Sequence, residues 1–167
     1  MRPEPATGCS TRRSGGSSRS SRNGGLALCE TVASQLIPDW QATLDALQEL
    51  GSVGDRQPVR YYGLSQGGEM GMRLAAAEPR ITAAVLGLIG SDWLTEIAAR
   101  ITIPVEFVLQ RDDEGHPRDS AMRLFDALGS AEKTLHANPG SHVAVPSFEI
   151  DSSVRFFDRH LGTASSS

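Results

Sequence analysis

The sequence predicts an α/β fold, namely a three-layer α/β/α sandwich around a mostly parallel sheet. From about Leu26 onward, helix-like and strand-like segments alternate at short intervals, as they do where helices connect parallel strands. The chain of 167 residues is 39% hydrophobic, which is enough for one domain with its own core. No apolar run reaches the length of a membrane span, so a membrane protein is not expected.

The first 25 residues differ in composition from the rest of the chain. They contain five Arg and one Glu among many Ser and Gly residues, with almost nothing apolar to bury. We therefore expect a disordered tail over residues 1–25, one domain over residues 26–162 and a flexible terminus over residues 163–167. A nucleic-acid-binding arm and an organelle transit peptide are alternatives for the tail, although it has no aromatic residue and no amphipathic pattern.

Charge and cysteine content narrow the class of partner. The whole chain has a net charge of −4 and the tail one of +4, which leaves −8 for the remainder. An acidic domain is unsuited to binding nucleic acid. Cys9 and Cys29 lack the spacing of a metal or redox site, which indicates either a reducing compartment or indifference to the redox environment. We expect a cytoplasmic protein with no cofactor, no metal, no nucleic acid and no membrane partner.

The first regular element of the domain is a predicted helix from Asp39 to Gly51. Asp39 can cap its N-terminus, and Gly51 can end it. Trp40, Leu44 and Leu47 recur at helical spacing, so we expect these three side chains to face the core.

A strand, a tight turn and a second helix follow. Residues Val59–Gly63 are rich in β-branched and aromatic side chains and come after the turn signal Pro58, which predicts a short buried strand. Residues 66–77 carry apolar side chains at helical spacing. Glu78 ends this helix, because a residue that precedes a proline avoids the helical conformation.

Three helices and three strands complete the predicted sandwich, each assigned from its apolar pattern and its Pro or Gly boundaries. In the last helix, Val154, Phe157 and Leu161 lie in register and predict its buried face. The strands are expected at Ile81–Leu88, Ile103–Gln110 and Lys133–His136, and the helices at Trp93–Arg100, Pro117–Leu128 and Phe148–Leu161.

The turn between the first strand and its helix carries the motif GLSQGG, Gly63–Gly68, with the pattern G-x-S-x-G around Ser65. A serine hydroxyl becomes a nucleophile when a sharp strand-to-helix turn presents it and a base removes its proton. Gly63 and Gly67 would let the strand and the helix approach each other closely. A plain turn of small residues is the alternative, and the flanking strand and helix favour the nucleophile.

Further reactive side chains follow the later strands. Asp112, Asp113 and Glu114 come after the strand that ends at Gln110, and His142 comes after the last strand. The carboxyl ends of parallel strands meet at one edge of a sheet, so these groups should lie near Ser65. His142 would accept the serine proton, and a carboxylate would orient the imidazole. His116, in the acidic loop, is a candidate for lining the pocket.

Residues 39–161 resemble the C-terminal half of an α/β-hydrolase, nearest to the dienelactone-hydrolase-like and small esterase branch. The resemblance depends on the motifs YYGLSQGG, PVEFVLQRDDEGHP and NPGSH. It implies a serine hydrolase with the triad Ser65, Asp113 and His142, since the acid in such proteins commonly precedes the loop proline, here Pro117, by four positions. Asp112 is the second choice. The resemblance also implies that the backbone N–H of Gln66 contributes to the oxyanion hole.

The chain departs from this family in two respects. Dienelactone hydrolases usually have a cysteine nucleophile, whereas this chain has Ser65, so a simple ester or lactone is the expected substrate. In this family, a loop that follows an earlier strand normally supplies the second hydrogen-bond donor to the oxyanion. This sequence contains neither that loop nor that strand upstream of the strand-to-helix turn at Ser65, which we call the elbow. The expected fold is thus a truncated α/β-hydrolase that lacks the N-terminal strands.

The missing strands have two expected consequences. Loss of one oxyanion donor would cost about 10²- to 10³-fold in rate. The sheet would also have an exposed edge, through which a second copy of the chain could pair. The alternative to an enzyme is therefore a catalytically silent domain that needs a partner or the missing N-terminal half.

Overall fold

The computed structural model of the chain describes residues 17–50 and 57–161. The described residues divide into two compact units, with the boundary between Gln35 and Leu36. Helix α1 comprises Ser17–Glu49, and its residues up to Gln35 are the described part of the first unit. All other elements belong to the second unit. Among the described residues, no helix combines the length and the apolar character that crossing a membrane requires.

Helix α1 differs from the sequence expectation at its start. Residues 17–25 were expected to be disordered and Asp39 to begin the helix, but α1 already begins at Ser17 and continues through Pro38. The Leu, Ala and Glu residues that follow the Gly pair favour a helix, and a proline removes only one of its many hydrogen bonds. Residues 1–16 of the expected tail, the expected stop at Gly51 and residues 163–167 lie outside the described residues.

Four parallel strands form the sheet, in the order β1-β2-β3-β4. Their bounds are Val59–Leu64 for β1, Ile81–Gly87 for β2, Val105–Gln110 for β3 and Lys133–Asn138 for β4. The carboxyl ends are in register, with the last residue of β1 opposite the last of β2 and the last of β3 opposite the last of β4. The loops that leave these ends therefore emerge on one side of the sheet, which confirms the predicted parallel arrangement.

Helices cover both faces of the sheet, as predicted. Their bounds are Gln66–Ala77 for α2, Thr95–Ala98 for α3, Arg118–Ala127 for α4 and Phe148–Leu161 for α5, and a short 3-10 turn, Asp92–Leu94, precedes α3. On one face, Met72, Leu94 and Leu124 from the helical layer pack on Leu86 and Phe107 of the sheet. On the other face, Phe156 of α5 packs on Ala83, Val85 and Val108. The fold is an α/β/α sandwich.

The buried face of α5 differs from the prediction. Val154 is 52% exposed, Phe157 is half-buried and Leu161 has no described burial, whereas Phe156 is 1% exposed. The buried face also includes Glu149 and Ser153. Hydrophobic periodicity could not identify this face, because two of its positions are polar and are buried through hydrogen bonds rather than apolar contacts.

These polar groups of α5 join a network on β3 and β4. The Nδ1 atom of His136 lies 2.6 Å from an oxygen of Glu149, and its Nε2 atom lies 3.7 Å from an oxygen of Glu106. The hydroxyl of Ser153 donates to Glu106 and the amide of Asn138 donates to Glu149. Both carboxylates are thus buried with partners.

In helix α1, only Leu44 of the three side chains expected to face the core is buried, and Trp40 and Leu47 are about two-fifths exposed.

Replacing Gly87 with alanine is expected to lower the free energy of unfolding by about 1–3 kcal/mol, the usual range for overpacking. A Cβ atom at Gly87 would lie 2.1 Å from the carbonyl oxygen of Val108, which belongs to the neighbouring strand and cannot move alone. Urea unfolding followed by circular dichroism measures the change. Gly67→Ala is the matched control, since a Cβ atom there meets nothing within 4 Å. Equal stability of Gly87→Ala and wild type would contradict the packing described here.

Candidate active site

The turn between β1 and α2 presents Ser65 in a strained conformation. Its backbone has φ 56° and ψ −124°, a conformation that residues other than glycine rarely adopt. The N–H of Ser65 donates to the carbonyl of Gly87 at 2.9 Å, which fixes the turn to the neighbouring strand. Such strain persists only where the surroundings hold it, and strained residues of this kind cluster at functional sites.

Glycines make this turn possible, although not the pair expected. A Cβ atom at Gly63 would lie 2.4 Å from the carbonyl oxygen of Gly67, and one at Gly68 would lie 2.6 Å from that of Gly87. Gly67, in contrast, has open space for a Cβ atom. The close approach therefore requires Gly63 and Gly68. The hydroxyl of Tyr61 also donates to the carbonyl of Gly67 at 2.7 Å and ties β1 to the first turn of α2.

The loop after β4 carries His142 and is held by acidic residues of the loop after β3. The backbone N–H of Gly140, a residue with φ 118°, donates to Asp112 at 2.9 Å. The backbone N–H of His142 donates to Glu114 at 3.2 Å. The side-chain amide of Gln110 donates to the carbonyl of Ser141 at 3.2 Å. Three polar side chains thus orient one short loop, a role that the sequence did not indicate for any of them.

Ser65, His142 and Asp113 form one continuous chain of hydrogen bonds. The Oγ atom of Ser65 lies 2.8 Å from Nε2 of His142, and Nδ1 of His142 lies 2.7 Å from Oδ2 of Asp113. A neutral imidazole with its proton on Nδ1 satisfies both contacts, since it donates to the carboxylate and accepts from the hydroxyl. The structure therefore brings together the three residues that the sequence singled out.

The carboxylate of Asp113 is buried, but both of its oxygens accept hydrogen bonds from protein groups. Its side chain is 2% exposed, and its Oδ1 atom accepts hydrogen bonds from the backbone N–H groups of Gly115 and His116. Burial acts to raise the pKa of Asp113, but the hydrogen bonds from His142, His116 and Gly115 outweigh it and hold the pKa below its usual value. Asp113 is therefore a carboxylate at neutral pH. Asp112 and Glu114 make backbone contacts instead.

His116 lies directly beside the triad. Its ring stacks on that of His142 with centroids 5.3 Å apart and planes 29° apart. Its Nδ1 atom lies 3.7 Å from Oδ2 of Asp113, beyond hydrogen-bond distance, and is buried without a hydrogen-bond partner. The acidic loop that carries His116 was visible in the sequence, but the stacking arises from the folding of two loops and has no sequence signature.

Gln66 is the first residue of α2 and follows Ser65 directly. The first N–H groups of a helix have no acceptor within the helix, and the helix dipole places partial positive charge there. The backbone N–H of Gln66 is therefore suited to bind an oxyanion that forms next to Ser65. The role of Gln66 as one donor of an oxyanion hole stays a prediction.

Comparison with known structures shows that the chain is similar to esterases. A cold-adapted esterase from an Arctic intertidal metagenomic library is 38% identical; in its zinc-bound form it matches with a TM-score of 0.72 over 77% of this chain and 59% of its own. Its native form matches with a TM-score of 0.71. This chain thus spans about three-fifths of the length of that esterase.

More distant structures share the fold. An acetyl xylan esterase from a Paenibacillus species is 17% identical, with a TM-score of 0.63 over 75% of this chain and 52% of its own. An acylaminoacyl peptidase from Pyrococcus horikoshii is 16% identical, with a TM-score of 0.61 over 78% of this chain and 28% of its own. No protein-family model and no curated protein matches the chain.

Proposed function

The chain belongs to the α/β-hydrolase superfamily, and from this premise we propose that it is a serine hydrolase that cleaves carboxylic esters or lactones. The observation that carries the proposal is the hydrogen-bond chain from Ser65 through His142 to Asp113. The chemistry needs no metal and no organic cofactor, because the nucleophile, the base and the orienting acid are all side chains.

In the proposed first step, Oγ of Ser65 attacks the ester carbonyl carbon. His142 accepts the hydroxyl proton on Nε2, and the charge that forms on the imidazole is stabilised by the carboxylate of Asp113. The N–H of Gln66 donates to the carbonyl oxygen as it becomes an oxyanion. Collapse of the tetrahedral intermediate breaks the bond to the alcohol oxygen, which takes the proton from His142 and leaves an acyl group on Ser65.

In the second step, a water molecule replaces the alcohol. His142 removes a proton from the water as its oxygen attacks the acyl carbon, and then returns that proton to Oγ of Ser65 as the acid leaves. The acid product, the alcohol product and the regenerated serine balance the reaction. Asp113 keeps the proton of the neutral imidazole on Nδ1, so that Nε2 is free to accept in both steps.

Substrate class is the finer part of the proposal. The resemblance to esterases supports an ester bond, and a serine nucleophile in place of cysteine favours simple esters or lactones over dienelactones. Residues Gly87 to Thr95, between β2 and α3, are too few for a cap domain over the site. We therefore propose substrates with small acyl groups. A cytoplasmic location stays a prediction.

A catalytically silent domain is the second candidate. It is favoured by the extent of the match, since the chain spans about three-fifths of the length of the similar esterase. It is also favoured by the oxyanion hole that we propose, which has one donor, the N–H of Gln66, where such enzymes normally have two. Strand β1 lies at an edge of the described sheet, and pairing of this edge with a second copy of the chain is the corresponding proposal for a partner.

Hydrolysis of p-nitrophenyl esters distinguishes the two candidates. A serine hydrolase is expected to hydrolyse the acetate and butyrate faster than the palmitate, with a burst of p-nitrophenolate where deacylation is slow. A protein that is folded by circular dichroism and releases p-nitrophenolate no faster than buffer would instead be the silent domain. Size-exclusion chromatography with light scattering shows at the same time whether two copies associate.

A further inference from the structure

The side of His142 that faces away from Ser65 has the composition of a metal site. The carboxylate of Asp113 and the imidazoles of His116 and His142 each direct one ligand atom to a common region, and these three atoms lie within 4.8 Å of one another. Two His and one Asp are ligands that Zn²⁺ takes in proteins, commonly with water at the fourth position. The cluster comes from two loops, those that follow β3 and β4.

One atom of the cluster has no role in the hydrogen-bond chain described above. The Nδ1 atom of His116 is buried, has no hydrogen-bond partner, and lies 3.7 Å from Oδ2 of Asp113. If Nδ1 carries a lone pair, two acceptors face each other. If it carries a proton, the proton has no acceptor within reach. Either way a buried polar atom is left unsatisfied, which costs free energy that a bound cation would recover.

We propose that Asp113, His116 and His142 bind one Zn²⁺ ion through Oδ2, Nδ1 and Nδ1, respectively. Bonds of about 2.0–2.2 Å in tetrahedral geometry place ligand atoms about 3.3 Å apart. The present distances from Oδ2 of Asp113, 2.7 Å to His142 and 3.7 Å to His116, bracket that value. The ligand atoms of His116 and His142 lie within 4.8 Å of each other, so the site forms when the two imidazoles move toward a common point.

The surroundings support the proposed ligands. The Oδ1 atom of Asp113 is held by the N–H groups of Gly115 and His116, so the metal would bind Oδ2 and replace its present hydrogen bond with Nδ1 of His142. The N–H of His142 is held by Glu114. Such hydrogen bonds to groups behind the ligands fix their orientation and strengthen metal binding. The side chain of His116 is 30% exposed, so the ion has a path from solvent.

The other group of potential ligands in the described residues carries no such argument. In the cluster of Glu106, His136 and Glu149, Nδ1 of His136 already contacts Glu149 at 2.6 Å. Hydroxyl and amide groups donate to both carboxylates. Unlike His116, these three side chains have no buried atom that lacks a hydrogen-bond partner, so this cluster is explained as a structural network.

Zinc binding would switch off the proposed hydrolysis, and this consequence rests on the proposed function. A neutral imidazole that coordinates zinc through Nδ1 carries its single proton on Nε2. His142 would then donate to Oγ of Ser65 and could not accept its proton. The ion lies behind the imidazole rather than in the path of the ester, so kcat is expected to fall while KM stays nearly constant.

Direct binding tests the site without reference to activity. The full chain carrying Cys9→Ser and Cys29→Ser is titrated with Zn²⁺ by calorimetry and with Co²⁺ by visible absorption. The two substitutions remove thiols, because thiolates are a further type of zinc ligand. We expect one ion per chain and no binding of Mg²⁺, which prefers oxygen ligands. His116→Gln is expected to weaken Zn²⁺ binding by at least about 10- to 100-fold, the loss that even an outer hydrogen-bond partner causes.

Four further variants locate the ion. His142→Gln should weaken Zn²⁺ binding like His116→Gln, and it provides a second variant if one of the two does not fold. His160→Gln and Ser65→Ala are matched controls in which Zn²⁺ binding should equal that of the unaltered chain. Unchanged binding in His116→Gln, or loss of binding in His136→Gln, would overturn the proposal, as would the absence of any Zn²⁺ binding.

Activity provides a separate readout. For each variant, kcat measured with Zn²⁺ is divided by kcat of the same variant measured after a chelator has removed the metal. This ratio should be well below one in the parent chain and much closer to one in His116→Gln. Binding as predicted by a chain with no esterase activity would refute the proposed function and support the zinc site. Esterase activity without Zn²⁺ binding would do the reverse.

Discussion

Replacing Ser65 with alanine is expected to lower kcat for ester hydrolysis by about 10⁴- to 10⁶-fold, the range seen when the nucleophile of a serine triad is removed. The reason is that Oγ of Ser65, 2.8 Å from Nε2 of His142, is the atom to which the acyl group would transfer. KM should change little, because the serine contributes the reacting atom rather than the binding surface. Initial rates with p-nitrophenyl acetate measure the effect.

Ser91→Ala is the matched control for this substitution. Ser91 precedes the 3-10 turn, and its side chain makes no capping hydrogen bond there. Its kcat should equal that of wild type. If Ser65→Ala retains more than a few per cent of the wild-type rate, hydrolysis takes place elsewhere and the proposed nucleophile is wrong.

Replacing Asp113 with asparagine is expected to lower kcat by about 10⁴-fold, the loss known for this change in a serine triad. The amide of asparagine can donate to Nδ1 of His142, which moves the ring proton to Nε2 and removes the acceptor for the hydroxyl of Ser65. The volume of the side chain hardly changes, so the protein should stay folded. Kinetics and circular dichroism on the same sample separate the two effects.

Asp112→Asn is the control that separates the two candidate acids. Asp112 accepts a hydrogen bond from the N–H of Gly140, and the carbonyl oxygen of an asparagine could accept the same bond. We expect a modest loss of rate, far smaller than that of Asp113→Asn. The reverse order of effects would assign the orienting acid to Asp112, against the geometry of the folded protein.

The lowered pKa of Asp113 adds a dependence of stability on pH. Because the folded state holds this pKa below the usual 3.8, the charged carboxylate contributes stability that is fully present above that value. The contribution is lost as the pH falls through the folded pKa. The difference in unfolding free energy between wild type and Asp113→Asn should therefore be constant near neutrality and shrink below about pH 4.

Local signals in the sequence were sufficient to predict most of the arrangement at the candidate active site. The elbow around Ser65 is a short-range unit in which one strand, one turn and one helix are consecutive, so its residues alone predict it. His142 and Asp113 were predictable because parallel strands bring their carboxyl ends to one edge of the sheet. The choice of Asp113 over Asp112 came from the family resemblance, and the hydrogen bonds of the folded loops agree with it.

Features that depend on tertiary contacts could not be predicted in the same way. The buried face of α5 includes Glu149 and Ser153, whose burial depends on partners that lie on other strands. The stacking of His116 on His142 depends on how two loops fold over each other. The start of helix α1 was misplaced because Asp39 was taken as its N-cap and residues 17–25 as disordered, whereas the helix already begins at Ser17 and continues through Pro38.

Covalent labelling with a fluorophosphonate tests most directly the central claim, that His142 makes Ser65 a nucleophile. The folded chain is predicted to acquire one phosphonyl group per molecule, mapped by mass spectrometry to the peptide that contains Ser65. Labelling should disappear in Ser65→Ala and slow strongly in His142→Gln. A folded chain that stays unlabelled, or one labelled on a different serine, would contradict the claim.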